Sequence, residues 1–410
     1  MSCSSDTGNV NVKNYMLRSF RFLSAASPST RPLAANLIDS ANQWISSDST
    51  DTVALFSILT ELRNSSRFTP SDKSFTAVMN QLARDPRLQT NLPRLLRHAA
   101  HLRYPATGFL LLPILTPLIP SLNPSDLAGV AWASAKLELK NDTLYDQISH
   151  RFLSLEYTPG DLDVFLNALA LADHVLSQLQ ADQCKRSIVE FCKSNTFTDR
   201  DLRGYFCSAC RLWPKDGEFL KGLSETLVRL FGVKADSATV PGANLTAILP
   251  ESQIMSLWAA LARAYRSEGY LHVSDSFLDM LYEQTRTLRL GHGLDESAFI
   301  ELLKSVVILR CKDPRVLFQL VCYVSTKGQR LRKEQYRQTV IAFAKLRIEG
   351  DEAWRRLAGR FEKHAPSFSL KEIREIERCF KMAKKFSPRL EGVMQLFVSL
   401  KEDMEFYGPS

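Results

Sequence analysis

The 410 residues suffice for two or three ordinary domains or for one extended repeat array. Only 17 glycines and 18 prolines argue against strands joined by glycine turns, 59 leucines favour helix, and 45% apolar with 23% charged residues excludes broad disorder. The net charge of +8 is uneven: 18 Lys/Arg face 8 Asp/Glu between Lys327 and Arg389, and the rest of the chain is near neutral.

In chain order, residues 1–32 form a basic, serine-rich arm. Residues 13–32 hold Lys13, Arg18, Arg21 and Arg31 with no acid, and hydroxyl and aromatic side chains lie between them. That composition suits an organellar transit segment, and equally a basic arm that docks on a partner. Helices are predicted to begin at Val53 and at Leu92. The second ends His98-Ala-Ala-His101, two imidazoles three residues apart on one helix face. A metal site there would need a third ligand, so a solvated or RNA-facing pair fits better. The longest apolar run, residues 108–120, is broken by Pro113, Pro117 and Pro120. It is too short to span a membrane and reads as a kinked buried helix.

An internal repeat follows. Asn123-Pro-Ser-Asp-Leu127, Thr158-Pro-Gly-Asp-Leu162 and Thr198-Asp-Arg-Asp-Leu202 each start a helix with a side-chain cap, and Pro occupies the first turn of the first two. Small residues come next (Ala131, Ala133, Ala135; Ala168, Ala170, Ala172; Ser208, Ala209, Cys210) and let a neighbouring helix approach closely. A second helix closes the unit, as in residues 143–153, where Leu144, Ile148 and Phe152 recur at helical spacing. The anchors Leu127, Leu162 and Leu202 are spaced 35 and 40 apart. Weaker matches place further anchors at Ile254, Phe299, Tyr336 and Ile373, and upstream at Leu92 and Val53. An inserted surface loop, 233–247, accounts for the 52-residue step from Leu202 to Ile254. The expectation is an all-α chain: an α-solenoid of eight to nine helix-turn-helix repeats of 35–45 residues over 33–390, with a C-terminal helix and tail over 391–410.

The string Asp126-Leu-Ala-x-x-Ala-Trp-Ala-x-Ala-Lys-Leu137, followed by a second helix and a fresh Thr158-Pro-x-Asp-Leu, resembles the organellar octotricopeptide and heptatricopeptide repeat proteins and their FAST-kinase-like relatives. The resemblance covers about residues 50–390 and is sharpest over 123–212 and 250–264. It implies paired-helix arrays that bind RNA in mitochondria. The C-terminal RAP module of many relatives has no visible counterpart, which removes the ground for a nuclease-like activity.

Nothing else organises chemistry. Cys207-Ser-Ala-Cys210 with Cys184 and Cys192 makes a poor zinc set, because structural zinc favours two tight knuckles; core packing is the better reading. Trp132 and Trp258, aligned by their Trp-Ala pairs, suit either base stacking or packing between repeats. Gly291-His-Gly293 is a turn, and no G-x-S-x-G, H-E-x-x-H or kinase signature occurs. No catalytic residue, metal or cofactor is expected.

The basic excess concentrates on two rows. Lys371, Arg374, Arg378, Lys381 and Lys385 fall within about an 80° arc of an ideal helix, opposite Ile373, Ile376 and Phe380. Arg356, Arg360 and Lys363 form a shorter row on the preceding helix. Such rows are either solvated faces or phosphate contacts. The expectation is a non-enzymatic RNA-binding repeat protein in a mitochondrial ribonucleoprotein such as the mitoribosome, its partners being ribosomal RNA and neighbouring proteins, without membrane insertion. The alternative is a protein–protein scaffold with no RNA contact.

Overall fold

A computed structural model of the protein describes residues 31–47, 51–64, 73–139, 141–231, 249–288 and 296–407. Among these residues there are 19 α-helices and no strand. The chain divides after Pro117 into two compact units. The expected insert loop 233–247, the turn at 291–293 and nearly all of the basic arm lie outside the described residues.

The first unit contains α1 (Arg31–Ser46), α2 (Thr52–Asn64), α3 (Lys73–Arg84), α4 (Leu92–His101) and α5 (Pro105–Leu115). Helices α1, α3 and α5 stack in one layer, and α2 and α4 form the other. Arg87 ties the layers together: it donates to the Ser47 carbonyl at 2.7 Å and lies 4.4 Å above the Trp44 ring. Two expectations fail here. His98 is buried and stacks on Phe56 at 5.3 Å while His101 is exposed, so the two imidazoles do not share a surface. The apolar run 108–120 is only half-buried: Leu111 and Leu115 point inward, but Phe109 is 67% exposed.

The second unit alternates first helices with second helices. The first helices are α6 (Pro124–Lys136), α8 (Pro159–Ala172), α10 (Asp199–Leu212), α12 (Glu251–Glu268), α14 (Glu296–Ile308), α16 (Lys333–Leu346) and α18 (Leu370–Met382). The second helices are α7 (Asp142–Leu153), α9 (Gln178–Ser194), α11 (Gly217–Phe231), α13 (Asp275–Arg286), α15 (Pro314–Lys327), α17 (Asp351–His364) and α19 (Pro388–Tyr407). Every first helix stacks on the next first helix. Second helices do likewise from α7 to α9 and from α11 to α19, and the Lys185–Asp216 ion pair (2.6 Å) joins α9 to the start of α11. Seven stacked pairs make this unit an α-solenoid, in which each pair buries its apolar side against its neighbours. The expected C-terminal helix is α19, which packs on α18 as the second helix of the last pair; residues 408–410 lie outside the described residues.

The repeat register is regular at both ends of the first helix. Leu127, Leu162, Leu202, Ile254, Phe299, Tyr336 and Ile373 are each the fourth residue of their helix, and each is fully buried. Position four is one turn inside the cap, so the cap fixes which side chain first turns to the core. Capping boxes set the start in three units: Thr158 with Asp161, Thr198 with Asp201 and Ser369 with Glu372. The same rule corrects the α2 anchor. Val53 is the second residue of its helix and 66% exposed, whereas Leu55, the fourth, is fully buried.

The helix ends repeat too. Eleven residues after the anchor stands a left-handed residue: Arg103, Glu138, Asp173, Arg310, Arg347 or Lys384, with φ between 50° and 57°. The N–H of the next residue then donates five residues back, as Leu139 does to the Ser134 carbonyl and Ile348 to Phe343, both at 3.0 Å. This is the Schellman arrangement, and its buried residue after the turn (Tyr104, Leu139, His174, Cys311, Ile348) closes the helix against the core.

Replacing an anchor should therefore cost far more than replacing the residue that the repeat spacing marks in α2. Leu162→Ala should lower unfolding free energy by about 2–5 kcal/mol, while Val53→Ala should change it by less than about 0.5 kcal/mol. Urea titrations followed by circular dichroism measure both.

Candidate nucleic-acid interface

The buried anchors orient everything else on a first helix. Residues five and nine places after the anchor fall on the side away from the core, and their chemistry varies from unit to unit. The fifth position holds Trp132, Asn167, Cys207, Ala259, Lys304, Ile341 and Arg378. The ninth holds Lys136, Leu171, Arg211, Arg263, Ile308, Lys345 and Met382.

This outer face of the first-helix layer carries cations that make no ion pair among the described residues: Arg200, Arg203, Arg263, Arg266, Lys304, Lys345, Lys371 and Arg378. Two grooves run across it. One, about 310 Å³, lies between α12, α14 and α16; Arg266, Lys304, Arg337 and Lys345 edge an apolar floor of Val307 and Ile341. The other, about 690 Å³, crosses α8, α10 and α12 and reaches Glu301 of α14.

The larger groove contains two groups in unusual environments. The Asp163 carboxyl lies against the α10 backbone at Gly204, where an added Cβ would come within 1.6 Å of its Oδ1. It accepts no hydrogen bond among the described residues. Burial, then the Asp201 carboxylate nearby, pushes it up to about 7 despite Arg200 and Arg203. Arg203 is only 8% exposed. Its Nε donates to the Asp199 carbonyl at 2.9 Å, but its Nη1 is sealed without an acceptor. Burial pulls its pKa down. Arg263 and Arg200 stand exposed on the same groove, beside Asn167 and Gln253.

The residues expected from the basic rows are placed differently. Lys371, Arg374, Arg378 and Lys381 do lie on the exposed side of α18. Two of them are paired, Arg374 with Glu402 of α19 (2.5 Å) and Lys381 with Glu377 (2.6 Å). Lys385 does not belong to the row: α18 ends at Met382 and Lys384 turns left-handed, so helical spacing stops before it. Its ammonium instead pairs with Asp351. Arg356, Arg360 and Lys363 sit on α17, which stacks in the second layer, whereas α18 stacks in the first. Arg356 pairs with Glu352 at 2.9 Å, and Arg360 is half-buried with its pKa pulled down by burial. The two rows therefore do not form one surface.

Other candidates are resolved by register. Trp132 lies five residues after its anchor and is half-buried, whereas Trp258 lies four after its own and is buried, its Nε1 donating to Thr285 Oγ1 at 2.9 Å. The Trp-Ala pairs are thus not equivalent. Cys210 takes the core position of Ala135 and Ala170, and Cys207 donates to the Ser256 carbonyl at 3.7 Å. Burial pushes the Cys207 thiol up to about 12. Among the described residues no three His, Cys, Asp or Glu side chains are grouped to hold a metal ion, and no helix is long and apolar enough to cross a membrane. No protein-family profile and no curated protein sequence matches this chain. The fold itself defines the class: an all-α helical-repeat protein.

The Asp163–Gly204 packing has two measurable consequences. Gly204→Ala should destabilise the chain by about 1–3 kcal/mol through overpacking, and Asp163→Ala in the same chain should recover most of that loss. The carboxyl is protonated more readily in the folded state than in the unfolded one. Its burial therefore costs nothing below about pH 4, and stability falls as pH rises from there to 7. Asp163→Asn should raise the unfolding free energy relative to the parent at pH 8, by on the order of 2–4 kcal/mol, and leave it unchanged at pH 4, as urea titrations at the two pH values would show.

Proposed function

We propose that this chain is a non-enzymatic RNA-binding repeat protein whose first-helix face follows the backbone of a single strand. The observation that carries the proposal is the set of unpaired cations on the outer face from α10 to α16, spread along two grooves with amide and apolar side chains between them, and continued on α18 by Lys371 and Arg378. A repeating polyanion suits a repeating cationic face, since each neutralised phosphate releases condensed counterions. The resemblance to organellar repeat proteins and the acid-free segment 13–32 support a place in the mitochondrion, as a structural component of a ribonucleoprotein such as the mitoribosome, beside ribosomal RNA and neighbouring proteins.

The test compares the two layers. Replacing Arg266, Lys304 and Lys345 with Gln should weaken binding to single-stranded RNA regardless of sequence. It should also flatten the slope of log affinity against log salt by about 2, at roughly 0.7 per lost contact. Replacing Arg356 and Lys363 of the second layer should leave both quantities unchanged. A parent chain that binds no RNA at low salt would overturn the proposal in favour of a protein–protein scaffold.

A further inference from the structure

The groove across α8, α10 and α12 is walled by a buried arginine that has no carboxylate hydrogen bond. Arg203 is nine-tenths buried, has one nitrogen without an acceptor and makes no ion pair among the described residues. A buried guanidinium without a carboxylate hydrogen bond is costly, and this one lines the wall of an open groove, where its positive field adds to that of the neighbouring cations while its sealed Nη1 stays out of an anion's reach. Arg200 and Arg263 flank the same groove from α10 and α12 and also lack carboxylate partners among the described residues. The Asp163 carboxyl of α8 packs against Gly204 and takes no hydrogen bond from any of the three, and Asp199 acts on Arg203 through its charge without pairing with it.

We propose that this groove is an oxyanion subsite that holds one phosphate between the exposed Arg200 and Arg263, in the positive field of the buried Arg203, and that ionisation of Asp163 weakens its grip. The subsite rests on the RNA-binding reading and names where on the first-helix face one phosphodiester is fixed. Asn167 and Gln253 offer amide groups beside it, which suits a nucleotide more than an isolated ion.

Asp163 is the groove's titratable group near neutrality. The charges acting on it come from α10: Asp201, Arg200 and Arg203, with the Cys207 thiol and Tyr205 hydroxyl also coupled to it. Arg263 of α12 and Glu301 of α14 line the same groove. Helices α6 and α9, also packed on α8, add no charge that acts on it among the described residues. Below pH 7 the carboxyl is neutral and the groove is cationic. Above pH 7 an anion within about 6 Å meets a like charge, worth about tenfold in affinity at an effective dielectric between protein and water.

The experiment uses the full chain and a fluorescently labelled 12-mer of uridylate, whose phosphodiesters do not titrate between pH 6 and 8.5. Anisotropy should show parent affinity falling about tenfold across that range. Asp163→Asn should hold the pH 6 affinity throughout, and Arg263→Gln, an exposed change that spares the core, should lower affinity at pH 6 about fivefold. An Asp163→Asn profile that falls like the parent's would overturn the subsite. So would an unchanged Arg263→Gln affinity beside a weakened Arg266/Lys304/Lys345 variant, and in both cases the RNA reading would stand. If the parent binds no uridylate, the RNA reading fails and sulfate decides the subsite. Thermal stabilisation by millimolar sulfate at pH 6, absent in Arg263→Gln, supports an oxyanion site for an acidic protein segment, and no stabilisation in the parent overturns it.

Discussion

The structure depends on a single packing constraint: a helix pair has no partner for its apolar side except the next pair. In the second unit that constraint falls on one residue per first helix. Leu127, Leu162, Leu202, Ile254, Phe299, Tyr336 and Ile373 differ in size and shape, yet all are fully buried one turn after the cap. Once that residue is committed to the core, the opposite side of the helix is released from packing. Trp132, Asn167, Cys207, Ala259, Lys304, Ile341 and Arg378 can then share one structural position with almost no chemistry in common. The scaffold is conservative where it stacks and free where it faces outward, which is the division a recognition surface requires.

The two layers also differ in how they handle charge. Second helices are clipped together by acid–base contacts: Lys185 with Asp216, and Arg315 with both Asp279 (2.8 Å) and Glu283 (2.7 Å). The Arg315 cluster pulls the Asp313 and Glu283 carboxyls below their usual range through hydrogen bonds to the guanidinium. On the first layer some cations are similarly engaged, as Arg337 is with Glu375 at 2.9 Å, but Arg263, Arg266, Lys304 and Lys345 are not. Unpaired surface cations contribute little to folding, and salt screens them readily.

Much of the architecture was legible in the sequence because caps and buried anchors are local signals. Thr158-Pro-Gly-Asp-Leu162 announces a helix start and, four residues in, a core position. The candidate interface was legible only in part, for two physical reasons. Charge density drew attention to residues 351–385, although half of those cations are neutralised by carboxylates brought near by folding, such as Glu402 and Asp351. Helical spacing was also carried past the end of α18 to Lys385, since nothing local in Lys381-Met-Ala-Lys-Lys385 marks the left-handed residue. Arg203 was invisible for another reason. It is one arginine in a polar helix, and its burial without a carboxylate hydrogen bond exists only after α8, α10 and α12 are assembled. The Schellman exit could have been found, because a buried-type residue stands twelve places after four of the anchors, at Tyr104, Leu139, Cys311 and Ile348.

The constant interval between anchor and exit settles where the chain can change length. Five of the seven first helices, and α4 in the first unit, keep it at eleven residues; α10 ends at Trp213 without a left-handed residue, and α12, whose exit is Gly269 with φ 79°, is longer by four residues, close to one whole turn. A whole turn preserves which side faces out, whereas one or two extra residues would rotate every following side chain by 100° or 200°. Differences in unit length therefore collect after the exit, in the second helices and their connections. The first-helix layer acts as a ruler of fixed graduations, and the second layer absorbs insertions without disturbing the spacing of whatever the ruler measures.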